Sequence, residues 1–347
     1  MGTEFTTQWT SPSNIALVKY WGKFGNQMPE NPSISFTLKH SVTTLSMSVT
    51  KSSVGTIRFL FEGMENPKFQ DKISKFLLTQ QIRFPWLANY HLEIHSSNTF
   101  PHSSGIASSA SSMSALCLSL LSVDEFITGK KFETKEFFKN VSELSRIASG
   151  SASRSVYPGL ASWGESSAIP SSSNLFASQF SEAHDVFKDY CDSILIVDDG
   201  EKSVSSRAGH GLMENHPFKD QRFLRAKNNL IKLIAALKSG DLNSFTEIVE
   251  EEALTLHALM MTSIPSYILL RPESLWLIEQ VKKFRLEKNI PVCFTIDAGP
   301  NIHLLYPQSY KATVRSWIEA ELSEKLVGIK WIHDEVGPGP VSVVEKC

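Results

Sequence analysis

Between residues 96 and 121 the chain changes character within a few positions. A stretch of serines and a glycine (Pro101-His102-Ser103-Ser104-Gly105-Ile106-Ala107-Ser108-Ser109-Ala110) runs straight into the apolar residues Met113 to Leu121. Small hydroxylated residues that open a buried helix leave its first backbone N–H groups unpaired and facing outward, beside the positive end of the helix dipole. Such a start accepts phosphate oxygens without any lysine, because glycine and serine let the anion approach the backbone. No Gly-Lys-Ser/Thr follows, so this is not a Walker loop. A flexible serine-rich linker is the plainer reading of the same residues.

Charge makes a local site of this kind necessary for any anionic ligand. The 347 residues carry 34 basic and 36 acidic side chains, a net charge of −2. That leaves no basic field to attract nucleic acid or an anionic membrane. Cys117, Cys191, Cys293 and Cys347 are scattered, with no CxxC pair, which suits a reduced, cytoplasmic protein. Residues 1–10 are polar and unlike a secretory signal. The apolar run at 114–121 is too short to be expected to span a bilayer.

The length suits two domains, expected at 1–190 and 191–347. Residues 42–49, 56–61 and 91–94 read as strands in the first. Residues 191–197 read as a buried strand opening the second, with Asp198-Asp199-Gly200 as its turn. Helices are expected at 219–239, stopped by Gly240, then after a cap at Asp241, then at 273–287 and 310–325. Strands are expected at 291–296 and 302–306, with a last strand pair around 337–340. The second half is therefore a layered α+β unit.

Three further constellations carry candidate chemistry. Asn14-Ile15-Ala16-Leu17-Val18-Lys19-Tyr20-Trp21-Gly22-Lys23 is an apolar strand ending in two lysines around an aromatic pair. One lysine suits a phosphate; the pair also reads as snorkelling side chains at a strand end. Ser149-Gly150-Ser151-Ala152-Ser153-Arg154-Ser155 offers hydroxyls and a guanidinium fork that matches carboxylate or phosphate oxygens, or else a turn with a surface arginine. Ser205-Ser206-Arg207 repeats that chemistry. Phe294-Thr295-Ile296-Asp297-Ala298-Gly299-Pro300-Asn301 puts an aspartate where a strand turns; there it caps the turn or serves as a general base. His257 and Met260-Met261 are expected in the core, and Glu250-Glu251-Glu252 on a solvated helix face. No zinc spacing is present.

These segments, in this order and across nearly the whole chain, resemble the mevalonate diphosphate decarboxylases of the galactokinase–homoserine kinase–mevalonate kinase–phosphomevalonate kinase superfamily. Lys19 to Lys23 look like the family's lysine-aromatic motif, continued by Asn31-Pro32-Ser33-Ile34-Ser35-Phe36-Thr37-Leu38. Gly105 to Ala110 look like its phosphate loop, Ser149 to Ser155 its serine-arginine motif, and Asp297 to Asn301 its aspartate turn. The sequence departs from the pattern at Met64, Ser103-Ser104, Ala148 and Pro158.

The resemblance implies an S5-like N-terminal domain, a ferredoxin-like C-terminal domain and a cleft between them. It implies ATP-dependent decarboxylation of mevalonate 5-diphosphate to isopentenyl diphosphate, with a monophosphate decarboxylase or a 3-kinase as close alternatives. A non-catalytic binding protein of the same fold is the more distant one. By the same resemblance Asp297 is the base, Arg154 the carboxylate clamp, Asn14 their support, and Ser109 a further catalytic group. Tyr20, Trp21, Gly22, Lys23, Ser149, Gly150, Ser151, Ala152, Ser153, Arg154, Ser206 and Arg207 are the implied substrate shell. Pro101, Ser104, Gly105, Ile106, Ala107, Ser108 and Ser109 are the implied ATP site. Magnesium comes with the nucleotide, touching Ser108 or Ser109, and no dedicated metal site is expected. A cytoplasmic homodimer without nucleic-acid or membrane partners completes the expectation.

Overall fold

The strand signal at 42–49 belongs to something much longer. In the computed structural model, which describes residues 4–101, 106–198, 200, 204–326 and 328–343, the fold opens with two long strands. Strand β1 is Glu4–Val18; the small hairpin of β2 (Lys23–Phe24) and β3 (Met28–Pro29) follows; β4 is Ser33–Lys51. Next come β5 (Thr56–Phe61), β6 (Met64–Glu65), α1 (Pro67–Thr79) and β7 (Tyr90–Asn98). Helix α2 (Ser108–Thr128) and α3 (Thr134–Ala148) lead through a 3₁₀ turn, Gly150–Val156, to β8 (Leu160–Trp163) and β9 (Ser178–Phe180). The second half comprises β10 (Cys191–Ile196), α4 (Ser206–Leu212), α5 (Lys219–Ser239), α6 (Leu242–Thr262), α7 (Pro272–Lys288), β11 (Cys293–Ile296), β12 (Ile302–Tyr306), α8 (Lys311–Trp317), β13 (Lys330–Glu335) and β14 (Val341–Val343).

The first sheet runs β14-β1-β4-β7-β5-β6, with β8 and β9 added beside β4; all its pairs are antiparallel except β5 with β7. The second runs β11-β12-β10-β13 and is antiparallel throughout. This is the expected two-part α+β arrangement, but the line at residue 190 does not divide it cleanly. The closing strands do not pair with each other: β13 joins the second sheet, whereas β14 crosses back to pair with β1. Asp334 of β13 also accepts the backbone amides of Lys39, His40 and Ser41 at 2.7–2.9 Å.

Burial explains why β1 shows no simple alternation. Its first half alternates, one face on α2 and one toward solvent; from Ser11 to Val18 every residue is buried. That second half is sandwiched, because Ile15, Leu17 and Val18 share a core with Ile194, Leu230, Phe245 and Leu305 of the other half. A strand covered on both faces loses its period-two signature.

Helix α2 is long and apolar enough, by length and composition alone, to cross a membrane, contrary to the expectation from its apolar run. Here most of it lies inside the protein, packed against β1, β4 and α3. Helix α5 has the predicted bounds, ended by Gly240 at φ +80°. Asp241 caps α6 by accepting the amides of Asn243 and Ser244. The predicted helix at 310–325 is broken by a π-turn at Ile318–Leu322.

Candidate active site

Arg154 is anchored before it can act on anything. The 3₁₀ turn after α3 buries it, and its guanidinium donates to Ser35 Oγ (2.7 Å), Ser33 Oγ (2.7 Å) and Asn14 Oδ1 (3.3 Å). All of these acceptors are neutral. Burial lowers its pKa to about 10, a drop partly offset by Asp297 and Tyr20. A buried guanidinium held by neutral oxygens keeps its charge available to an anionic ligand. Asn14 is fixed in turn, its amide donating to Ser155 Oγ (2.8 Å) and Ser151 O (3.2 Å).

Asp297, at the end of β11, meets this group from the other half of the molecule. Its Oδ1 accepts from Lys19 Nζ at 2.7 Å. The Lys19 side chain is 2% exposed and that of Asp297 25%, so the carboxylate keeps an open side. Burial pushes the Lys19 pKa down; Asp297 and then Glu252 push it back up, and Arg154 opposes them. Carboxylate, ammonium and guanidinium therefore lie close enough to act on one another's charge. The backbone on both sides is braced: His257 Nε2 donates to the Asp297 carbonyl at 3.0 Å, and Glu252 Oε2 accepts the Lys19 amide at 2.9 Å.

The start of α2 is tied to β1. Ser13 Oγ donates to Ile106 O at 2.5 Å and Ser11 pairs with Ser114 at 2.6 Å, which pins the start of α2 one residue from Asn14. Ala107, immediately before the helix, has φ +41°, a left-handed conformation that costs an alanine energy. Ser109 is exposed in the first turn, and Ser108 lines an apolar pocket of about 30 Å³ with Phe59, Phe61, Phe69 and Met113. Lys72 of α1 borders both this pocket and a larger cleft of about 510 Å³ that reaches Asn26, Gln27 and Ala148.

Several expected shell residues take other roles. Trp21 is buried against Met213, Leu256 and Leu259, so its indole belongs to the core. Ala152 and the Ile106 side chain are also core, and Ser153 Oγ donates inward to Gly150 O at 2.8 Å. The Gly22 amide is taken by His210 Nδ1 at 3.0 Å. By contrast Tyr20 stands beside Gly150 and Trp163, and Lys23 donates to Gln27. Ser149 and Ser151 are part-exposed, as is Pro101. Ser104, Gly105 and the side chains of Ser206 and Arg207 lie outside the described residues; the backbone of the latter two opens α4, capped by Ser205.

Sequence reasoning quoted Lys19, Ser33 and Ser35 within motifs without giving them separate roles, read Glu252 as solvated, and passed over His210. Lys19 is no snorkelling lysine, and Glu250 and Glu252 are buried rather than solvated. Among the described residues no cluster of His, Cys, Asp or Glu is set to hold a metal. Ser108 and Ser109 offer hydroxyl oxygens in the first turn of α2, the ligand type that magnesium takes.

A carboxylate bonded to one buried cation and acted on by a second, in a chain whose α2 opens with hydroxyls, is the arrangement of an enzyme that handles anionic small molecules. Residues 11–175 match the diphosphomevalonate decarboxylase-like N-terminal domain, and 193–340 the mevalonate 5-diphosphate decarboxylase C-terminal domain. The chain is 27% identical to the diphosphomevalonate decarboxylase of Candida albicans, over 97% of each chain. It superposes on MDDEF in complex with MVAPP, AMPPCP and magnesium with a TM-score of 0.83 (27% identity, 99% and 100% of the two chains). The mevalonate diphosphate decarboxylase of Staphylococcus aureus gives 0.83 as well (28% identity, 99% of each chain). This chain belongs to the mevalonate diphosphate decarboxylase family.

Proposed function

We propose that the chain converts mevalonate 5-diphosphate and ATP into isopentenyl diphosphate, ADP, phosphate and carbon dioxide. The observation that carries this is the meeting of Asp297, Lys19 and Arg154. A kinase acting on a hydroxyl needs the base; a decarboxylase also needs a fixed cation for the substrate carboxylate, and Arg154 is a buried one.

Asp297 takes the proton of the tertiary 3-hydroxyl as its oxygen bonds the γ-phosphorus and the bond to ADP breaks. Lys19 stabilises the ionised carboxylate, whose charge is neutralised as it takes the proton. Phosphate leaves with the C–O electron pair. The C–C bond to the carboxylate then supplies the electrons of the new double bond, and carbon dioxide departs. Arg154 holds that carboxylate until the bond breaks. The start of α2, with Ser108 and Ser109, receives the triphosphate. Bound magnesium supplies charge neutralisation along the triphosphate. Tyr20, Lys23, Ser149, Ser151 and the opening of α4 with Arg207 receive the 5-diphosphate.

The reading also includes a cytoplasmic homodimer; light scattering that gave a monomer at micromolar concentration would remove the dimer. The reaction is tested by product mass spectrometry with mevalonate 5-diphosphate and 5-monophosphate in parallel. Isopentenyl diphosphate and carbon dioxide are expected from the diphosphate. Kinetic preference for the monophosphate, or a stable 3-phosphorylated product, would replace the reading. Asp297→Asn is expected to lose at least ~100-fold in kcat while still binding both substrates.

A further inference from the structure

His210 lies in α4, outside every motif singled out above, yet it enters the wall of the phosphate end. Its ring packs against two aromatic rings, 4.4 Å between centroids from Tyr20 and 4.4 Å from Trp21, tilted by 39° and 34°. Its two edge nitrogens are the groups able to hydrogen-bond. One edge is occupied: Nδ1 accepts the Gly22 amide at 3.0 Å. An accepting Nδ1 carries no proton, so the proton of the neutral ring sits on Nε2, at the edge away from Gly22. The ring is neutral because burial, helped by Lys23, lowers its pKa to about 3.

The surroundings name the ligand chemistry. The charge that acts on His210 is the Lys23 ammonium. The neighbouring Tyr20 hydroxyl is buried and has no hydrogen-bond partner among the described residues. A ring N–H, a phenol O–H and an ammonium gathered close together suit an anion with several oxygens. We propose that His210 donates its Nε2–H to a phosphate oxygen of the substrate's diphosphate, alongside Tyr20 and Lys23. The proposal rests on the functional reading above.

Two variants separate this role from simple packing. His210→Asn keeps an acceptor near the Nδ1 position for the Gly22 amide but has no donor near Nε2. His210→Gln puts an amide N–H near Nε2. His210→Asn is expected to raise KM for mevalonate 5-diphosphate on the order of tenfold, the effect of one hydrogen bond to a charged group, with KM for ATP unchanged. His210→Gln is expected to recover most of that loss. Wild-type KM in His210→Asn, or equal losses in both variants, would reduce the ring to a structural clasp. Inorganic pyrophosphate, titrated by phosphorus NMR against wild type and His210→Asn, decides the point without turnover. Weaker binding in the variant supports the donor, and equal binding overturns it. Absence of turnover by the wild type would instead remove the functional reading and leave the pyrophosphate result standing.

Discussion

A lysine with almost no exposed surface is costly unless an anion accompanies it. Lys19 has one, and the partner lies 278 residues further along the chain. Nothing local in the sequence marks that pairing: a lysine after four apolar residues looks like a strand end reaching for water. Arg154 was easier to find because hydroxyls and glycine cluster around it in sequence. Its actual acceptors, Ser33 and Ser35, come from a segment that attracts attention only by family likeness. Lys19→Met is expected to cut kcat at least ~100-fold, the lower range for disabling a general base, with small changes in either KM. A kcat within a factor of a few of wild type would show that Asp297 works without the ammonium.

At the scale of elements, the well-read segments are those with chemical punctuation at both ends. Helix α5 has Gly240 in the left-handed region at its end, and α6 begins with a side-chain cap from Asp241. The long strands were truncated in prediction because their doubly covered portions do not alternate. The glutamates of α6 failed for a simpler reason: three consecutive helical residues point in three directions about 100° apart. Glu251 reaches the exposed Arg225, whereas Glu250 and Glu252 turn inward to Arg285 and Arg222. The 3₁₀ turn shows similar directionality. A Cβ on Gly150 would meet Trp163 at 2.9 Å and the Tyr20 hydroxyl at 3.0 Å. Gly150→Ala should therefore displace Tyr20, costing about 1–3 kcal/mol of stability as an overpacked site. A several-fold rise in substrate KM at constant ATP KM is its expected kinetic mark; unchanged kinetics would place Tyr20 away from the substrate.

Across the whole molecule, the two halves are joined by more than contact. Arg222 donates to both oxygens of Glu252 at 2.7 and 2.8 Å, and to the Lys19 carbonyl at 3.0 Å, while Glu252 accepts the Lys19 amide. A fully buried ion pair from α5 and α6 thus grips both backbone groups of the lysine that closes β1. Removing one charge strands the other in an apolar setting. Glu252→Gln is expected to cost about 3–5 kcal/mol, read as a lower midpoint in chemical denaturation. A midpoint close to wild type would mean that the amide replaces the carboxylate without loss. The two-part α+β class was legible from the length and the order of strand and helix signals. The shared core and the return of β14 were not, since both rest on pairings across most of the chain's length.

Strand β1 holds Asn14 and Lys19 at the very beginning of the polypeptide, but Glu252 and Asp297 are made some 240 to 280 residues later. During vectorial synthesis these early residues leave the ribosome long before anything exists to neutralise or orient them. Catalytic competence must therefore appear abruptly, only once β11 has emerged. A prematurely terminated product that stops short of β11 would be chemically silent, however well its first sheet had formed.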